Sequence, residues 1–159
     1  MAETKAGKVG VGDQAPDFTL ADWQGRRVSL GALLARGPVV LYFYPKDETS
    51  GCTAEACTFR DSYDAFREAG AEVVGISSDS EQSHASFAQK HNLPFVLLSD
   101  PGGQVRRQYG ARDLFGLMPG RVTYVIEPSG TVRHVFSSQF SPTRHIRESL
   151  SILKGMAPA

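Results

Sequence analysis

The sequence predicts an α/β protein whose central sheet is mixed, mostly parallel and flanked by helices. Two observations lead to this prediction. Strand-like apolar runs alternate with helical patterns through most of the chain, and the first of these runs, VVLYFY at 39–44, has no polar interruption. Such alternation is typical of parallel sheets covered by helices, whose central strands are buried on both faces.

Each strand is predicted from a short apolar run bounded by turn-forming residues. The predicted strands lie at 39–44, 72–78, 95–100, 122–127 and 131–138. Pro45 closes the first run, because proline cannot donate a hydrogen bond to a β-ladder. The sequence EPSG at 127–130 is typical of a tight turn, so the last two strands are expected to pair as an antiparallel hairpin.

The helices are predicted from apolar residues at spacings of three and four. The clearest pattern runs from Thr53 to Ala69, with Gly70 as a helix stop. Shorter helices are predicted at 80–91 and 102–109. A last helix should begin at Ser141 and Pro142, a favourable N-cap and first-turn pair, and run to about residue 154.

The order of these elements suggests the thioredoxin architecture, which we expect to include an N-terminal β-hairpin. The sequence contains no internal repeat, low-complexity segment or linker. We therefore expect a single domain over residues 1–159, with an ordered core at about 9–154.

Composition and charge exclude several classes of function. Lys plus Arg and Asp plus Glu each number 17, so the formal net charge is zero and no nucleic-acid or anionic-membrane partner is expected. No apolar run reaches the length of a signal peptide or a membrane span, which predicts a cytoplasmic protein. In a reducing compartment, paired thiols are more often catalytic or redox-sensing than structural.

The two cysteines of the chain, Cys52 and Cys57, both lie in TSGCTAEAC at 49–57. Their spacing matches neither the C-x-x-C of thioredoxin-type redox pairs nor the usual zinc patterns. Cys52 is predicted at the start of a helix, where free backbone amides and the helix dipole favour a thiolate anion. Cys57 lies beyond the reach of both effects.

The spacing also carries a mechanical prediction. Five residues of helix separate the two Cα atoms by roughly 8 to 9 Å, whereas a disulfide requires less than about 7 Å. The sulfurs can therefore bond only after the first turn of the helix unwinds. A thiolate that attacks a peroxide becomes a sulfenic acid, and a nearby thiol converts that acid to a disulfide.

The residues Pro45, Thr49 and Cys52 form P-x-x-x-T-x-x-C, which resembles the active-site motif of peroxiredoxins. With Cys57, LPFVLLSD and PGRVTYVI, the chain is similar to the peroxiredoxin Q branch, also called bacterioferritin comigratory protein, over nearly its whole length. The resemblance implies a thioredoxin-fold peroxidase that reduces hydrogen peroxide and organic hydroperoxides in antioxidant defence. It implies thioredoxin or a similar dithiol protein as reductant, and no cofactor.

The resemblance also implies roles for single residues. Cys52 would be the peroxidatic thiol and Cys57 the resolving thiol, joined by an intramolecular disulfide in a monomer. Thr49 would hydrogen-bond the thiolate and the peroxide, and Pro45 would shield the sulfur from water. Arg121, in PGRVTY, would stabilise the thiolate and the negative charge on the leaving oxygen.

Plainer interpretations remain open for the same residues. Thr49 could cap the helix, Pro45 could simply end the strand, and Arg121 could be an ordinary strand-edge arginine. Ser50 stands where many peroxiredoxins have proline, which predicts a less rigid loop. A thioredoxin-like disulfide oxidoreductase would use C-x-x-C, and a soft-metal-binding module would use C-x-x-x-C with a distant histidine.

The other histidines and arginines predict no further site. His84 and His91 are seven residues apart, too far for chelation by one helix face, and His134 and His145 have no ligand pattern around them. All four are interpreted as solvated or partly packed, and no metal is expected. The arginines of QVRRQ and TRHIR are interpreted as solvated helix faces.

Overall fold

The computed structural model describes residues 8–111, 121–137 and 142–156 of the chain. Seven strands form one mixed sheet in the order β2-β1-β5-β4-β3-β6-β7. The strands are β1 Thr19–Asp22, β2 Arg27–Ser29, β3 Val39–Phe43, β4 Glu72–Ser77, β5 Val96–Ser99, β6 Val122–Ile126 and β7 Val132–Ser137. The helices are α1 Leu30–Leu34, α2 Ser50–Asp61, α3 Tyr63–Glu68, α4 Glu81–His91, α5 Gln104–Tyr109 and α6 Pro142–Met156.

The sheet is less parallel than the sequence predicts. Among the described strands, β3 pairs parallel with β4 and β4 with β5, while the other four neighbouring pairs are antiparallel. The prediction of a mostly parallel sheet is therefore wrong. The reason is that the β1–β2 hairpin joins β5 antiparallel and β6 joins β3 antiparallel, and residue patterns do not encode strand direction. Both predicted hairpins, β1–β2 and β6–β7, are present.

The central strand β3 is buried along its whole length, as its continuous apolar sequence predicts. Val39, Leu41 and Phe43 belong to one apolar core, and Val40 and Tyr42 belong to a second core. The second core also contains Cys52, Ala56 and Phe59 of α2. The two cores therefore lie on opposite faces of the strand, because successive side chains of a strand alternate.

The helix predicted from Thr53 to Ala69 is two helices. α2 begins at Ser50 and ends at Asp61, and Ser62 leaves helical geometry at φ −101° and ψ 3° before α3 begins. The apolar spacing continues across this break, which is why the pattern reads as one helix. Gly70 ends the second helix with φ at 79°, as predicted.

The remaining helices agree with the predictions within a few residues. The Ser80 side chain caps α4 by accepting from the Ser83 amide. α6 begins at Pro142 and continues to Met156, whereas the predicted cap Ser141 lies outside the described residues. Within the described ranges, none of the helices combines the length and the apolar character that a bilayer crossing requires.

Candidate active site

The start of α2 holds Cys52. Thr49 occupies the N-cap position with extended backbone, and Cys52 is the third residue of the helix. The Cys52 side chain is buried, and Cys57 lies farther along the same helix, partly buried. Both cysteines are free thiols. Cys52 thus lies in the first turn of the helix, where backbone amides lack helical partners.

Arg121 approaches the sulfur from a different element. It directly precedes β6, and β6 pairs with β3 so that Val122 lies opposite Phe43. This register brings Arg121 to the end of β3, where the chain leads into α2. Its Nη2 donates to Cys52 Sγ at 3.4 Å, and the residue is 5% exposed. A buried guanidinium at this distance is a charged donor aimed at the sulfur.

Gly51 makes room for the guanidinium. A Cβ at position 51 would lie 2.9 Å from Arg121 Nη2, closer than side chains tolerate. The residue before Cys52 is therefore small because a cation occupies the space that a side chain would fill. No local sequence pattern indicates this role of Gly51.

Glu55 is a second site residue that is absent from the sequence-based predictions. Its Oε1 accepts a hydrogen bond from Arg121 Nη1 at 2.6 Å, and its side chain is fully buried. Burial raises the pKa of Glu55 to about 8, although the attraction of Arg121 acts in the opposite direction. The signal was available, because Glu55 follows Cys52 by three residues and shares its helix face.

Glu55 and Cys52 stabilise the positive charge on Arg121. Burial acts to lower the pKa of Arg121, but the attraction of Glu55 and Cys52 outweighs burial and raises it. The guanidinium is therefore a permanent positive charge beside the sulfur. Its Nε has no hydrogen-bond partner among the described residues.

The polar chain continues from Glu55 to α6. The Nδ1 atom of His145 lies 3.9 Å from Glu55 Oε2 and 2.7 Å from Thr123 Oγ1. His145 is 1% exposed, so the interpretation of this residue as solvated or only partly packed is wrong. The same correction applies to His84 and Arg106, which are also buried. Their burial depends on contacts between distant segments, which local polarity does not reveal.

Thr49 and Pro45 lie on the loop before the helix. The Thr49 hydroxyl is exposed and donates to the Lys46 carbonyl at 2.9 Å, and the side chain makes no capping hydrogen bond. Thr49 thus has the position of a cap without the side-chain contact. Pro45 is partly buried and follows β3, consistent with a strand end.

Known proteins resemble this chain in sequence. Residues 11–135 match the family model described as the AhpC/TSA family. The chain is 54% identical over 151 residues to peroxiredoxin Q, chloroplastic, of Oryza sativa subsp. japonica, covering 94% of this chain and 69% of that protein. It is 55% identical over 150 residues to peroxiredoxin Q, chloroplastic, of Sedum lineare, covering 94% and 80%.

Solved structures are similar as well. The fold matches peroxidoxin BcpB from Mycobacterium tuberculosis with a TM-score of 0.87 and 43% identity, over 94% of this chain and 99% of that chain. It matches Xanthomonas campestris peroxiredoxin Q with a TM-score of 0.80 and 31% identity, over 89% and 92%. These matches confirm the thioredoxin-like fold prediction. The chain therefore belongs to the AhpC/TSA family, in which it is a thiol-dependent peroxidase of the peroxiredoxin Q branch.

Proposed function

We propose that Cys52 is the peroxidatic thiol of this peroxidase and that Cys57 is the resolving thiol. The observation that carries the proposal is the 3.4 Å contact between Arg121 Nη2 and Cys52 Sγ at the first turn of α2. Arg121 and the helix terminus both favour a negative charge on this sulfur. Cys57 has neither of these neighbours in its part of the helix.

In the first step the Cys52 thiolate attacks one oxygen of the peroxide. A sulfur–oxygen bond forms and the oxygen–oxygen bond breaks, so Cys52 is oxidised by two electrons to a sulfenic acid. The departing oxygen leaves as hydroxide or alkoxide and takes up a proton to become water or an alcohol. Arg121 would stabilise the negative charge on this leaving oxygen.

In the second step the Cys57 thiolate attacks the sulfur of the sulfenic acid. A disulfide forms, and the hydroxide that leaves takes up a proton to become water. Because both cysteines lie in one unbroken helix, this step requires the first turns of α2 to unwind. Thioredoxin or a similar dithiol protein then exchanges thiols with the disulfide, which restores both cysteines and oxidises the reductant.

Thr49 and Pro45 complete the proposed site. The Thr49 hydroxyl donates its hydrogen bond to the Lys46 carbonyl. Its oxygen can therefore accept a hydrogen bond from a peroxide. Pro45 would limit the access of water to the sulfur from the side of β3. These contacts would orient the peroxide for attack by Cys52.

We also propose that the protein acts as a monomer in the cytoplasm. One chain supplies both thiols of the proposed disulfide, so no second subunit is needed for the cycle. A mass near 17.2 kDa by sedimentation, in the reduced and the oxidised protein, would support the monomer. Cell fractionation would test the location.

The proposed roles are tested by mixing reduced protein with hydrogen peroxide in a stopped-flow instrument. The fluorescence of Trp23 should follow the oxidation of Cys52, because Trp23 packs against the core that contains Cys52. We expect Cys52→Ser to consume no peroxide, and Cys57→Ser to react once and stop as a sulfenic acid that dimedone traps. Peroxide consumption by Cys52→Ser at the wild-type rate would refute the assignment.

A further inference from the structure

The loop at 44–49, which leads from β3 to Cys52, has a buried anchor at Asp47. Asp47 is 4% exposed, and its Oδ1 accepts from the Tyr44 hydroxyl at 2.6 Å. Its Oδ2 lies 2.8 Å from Ser83 Oγ and 2.7 Å from His84 Nδ1. Ser83 and His84 belong to α4, so Asp47 ties the active-site loop to a helix that follows it by more than thirty residues.

The contacts of His84 determine where its protons lie. Its Nε2 is 3.0 Å from the carbonyl oxygen of Leu98, which only accepts, so Nε2 carries a hydrogen. The 2.7 Å contact between Nδ1 and Asp47 requires a second hydrogen. Burial acts to raise the pKa of Asp47, but the hydrogen bonds from His84, Tyr44 and Ser83 outweigh it and lower the pKa. The contacts therefore describe a buried carboxyl–imidazole pair joined by a short hydrogen bond.

A metal ion is a competing interpretation of this cluster. Asp47, Asp79 and His84 place one potential ligand atom each within 4.8 Å of the others. Hydrogen bonds already use these atoms, because Asp79 Oδ2 accepts from the Asp47 amide at 2.8 Å and from Ser77 Oγ at 2.7 Å. Since a metal would have to displace them, the cluster is better described as a hydrogen-bonded anchor.

A second contact between the loop and α4 is exposed. Glu48 has a left-handed backbone with φ at 66°, and its carboxylate contacts Lys90 Nζ and His91 Nε2, each at 3.0 Å. Ion pairs in solvent contribute little to stability. The buried pair of Asp47 and His84 is therefore the stronger attachment.

We propose that Asp47 and His84 are positioning residues that hold the loop before Cys52 in its reactive form. The inference rests on the proposed roles of Cys52 and Cys57. Attack on peroxide needs the loop and the first turn of α2 in place, whereas disulfide formation needs that turn to unwind. Loosening the anchor should therefore slow the first step and speed the second.

The test compares Asp47→Ala with Asp47→Asn. An asparagine can still accept from Tyr44 and can donate to Nδ1 of a neutral His84, so it keeps the attachment without the charge. Both steps are followed by stopped-flow Trp23 fluorescence, and sulfenic acid and disulfide are quantified by mass spectrometry. We expect Asp47→Ala to slow the peroxide step by about tenfold or more and to speed disulfide formation several-fold, with Asp47→Asn intermediate.

A control variant is needed to show that a general loss of stability does not by itself change the two rates. Leu30→Ala truncates a buried side chain in the other core and should lower the melting temperature while leaving both rates unchanged. If Asp47→Ala does not fold, His84→Gln takes its place. The inference would be overturned if both rates of Asp47→Ala changed in the same direction or stayed unchanged. It would also be overturned if Leu30→Ala showed the same slower first step and faster second step. Failure of the wild type to oxidise at Cys52 would instead refute the proposed function.

Discussion

At the scale of single residues, the surroundings of the Cys52 sulfur are set by two buried, hydrogen-bonded side chains, Arg121 and Glu55. Arg121 contacts the sulfur with one terminal nitrogen and Glu55 with the other. Burying a cation is costly unless an anion and hydrogen bonds compensate for lost water. Glu55 Oε1 accepts one of those hydrogen bonds at 2.6 Å, which helps a buried guanidinium to remain beside the sulfur.

The first prediction concerns Arg121→Ala. We expect the rate constant for the reaction with peroxide to fall by roughly 10²- to 10³-fold, the usual loss when one donor to a developing anion is removed. The fold should survive, because burial raises the pKa of Glu55 to about 8, so that at neutral pH the loss of Arg121 leaves no buried carboxylate without a partner. Arg133→Ala is the matched control, since Arg133 is an exposed arginine on β7. A rate within a few-fold of wild type would contradict the role of Arg121.

The second prediction concerns pH and Glu55→Gln. The pKa of Glu55 is raised by burial from 4.5 to about 8, so below pH 4.5 the carboxyl is protonated in the folded and the unfolded state. As the pH rises from there to about 8, the unfolded chain releases the proton and the folded protein keeps it, which lowers the stability of the wild type. Glutamine cannot ionise and escapes this loss.

Urea unfolding at several pH values measures the effect. The free energy of unfolding of Glu55→Gln minus that of wild type should increase between pH 4.5 and 8 and then level off. Glu68→Gln is the control, because Glu68 is an exposed carboxyl at the end of α3. It should show no increase in this window. A constant difference for Glu55→Gln would show that the carboxyl is ionised throughout.

At the scale of elements, the beginning of α2 combines order with the capacity to unwind. The helix contains both cysteines, and its first residue is Ser50. Proline is favoured at this first helical position, because its fixed φ suits a helix and no helical bond to its nitrogen is lost. With serine at position 50, the unwound turn therefore has more backbone conformations available than it would have with proline.

The third prediction is that Ser50→Pro stabilises the reduced protein and slows disulfide formation. Thr49 already has φ −78° and ψ 153°, the extended geometry that proline requires of the preceding residue. We expect a gain of about 0.4–1 kcal/mol in the free energy of unfolding, and a several-fold slower second step in stopped-flow traces. Ser50→Ala is the control without the ring. A faster second step in Ser50→Pro would contradict this account.

At the scale of the whole molecule, α2 packs on the sheet through stacked aromatic side chains. Phe59 of α2 stacks on Tyr42 of β3 with ring centroids 4.6 Å apart. Tyr42 in turn lies over Gly75 of β4, its partner in register. The position of α2 over the sheet therefore depends on a glycine in a neighbouring strand.

The fourth prediction compares two glycines. A Cβ at Gly75 would lie 2.8 Å from Tyr42 Cζ and 2.9 Å from Leu97 Cδ2, so Gly75→Ala should destabilise the protein by about 1–3 kcal/mol. Gly155 is exposed in α6 with open space around it, so Gly155→Ala should stabilise by up to about 1 kcal/mol. Urea unfolding measures both. A neutral Gly75→Ala would show that Tyr42 can move without cost.

The sequence by itself determined the parts of this protein that depend on neighbouring residues. The strands at 39–43 and 72–77 follow from apolar runs, the helix around Cys52 follows from residue spacing, and P-x-x-x-T-x-x-C identifies the family. Each of these signals lies within a short segment. Side-chain periodicity and backbone preference act over such distances, and a single chain records them directly.

Only the tertiary structure decided how distant segments meet. The antiparallel entry of β6 beside β3 brings Arg121 to a sulfur 69 residues away. Glu55 pairs with Arg121 across 66 residues, and Asp47 pairs with His84 across 37. The physical reason is that a charged side chain leaves water only where the fold supplies a partner, and local sequence does not name that partner.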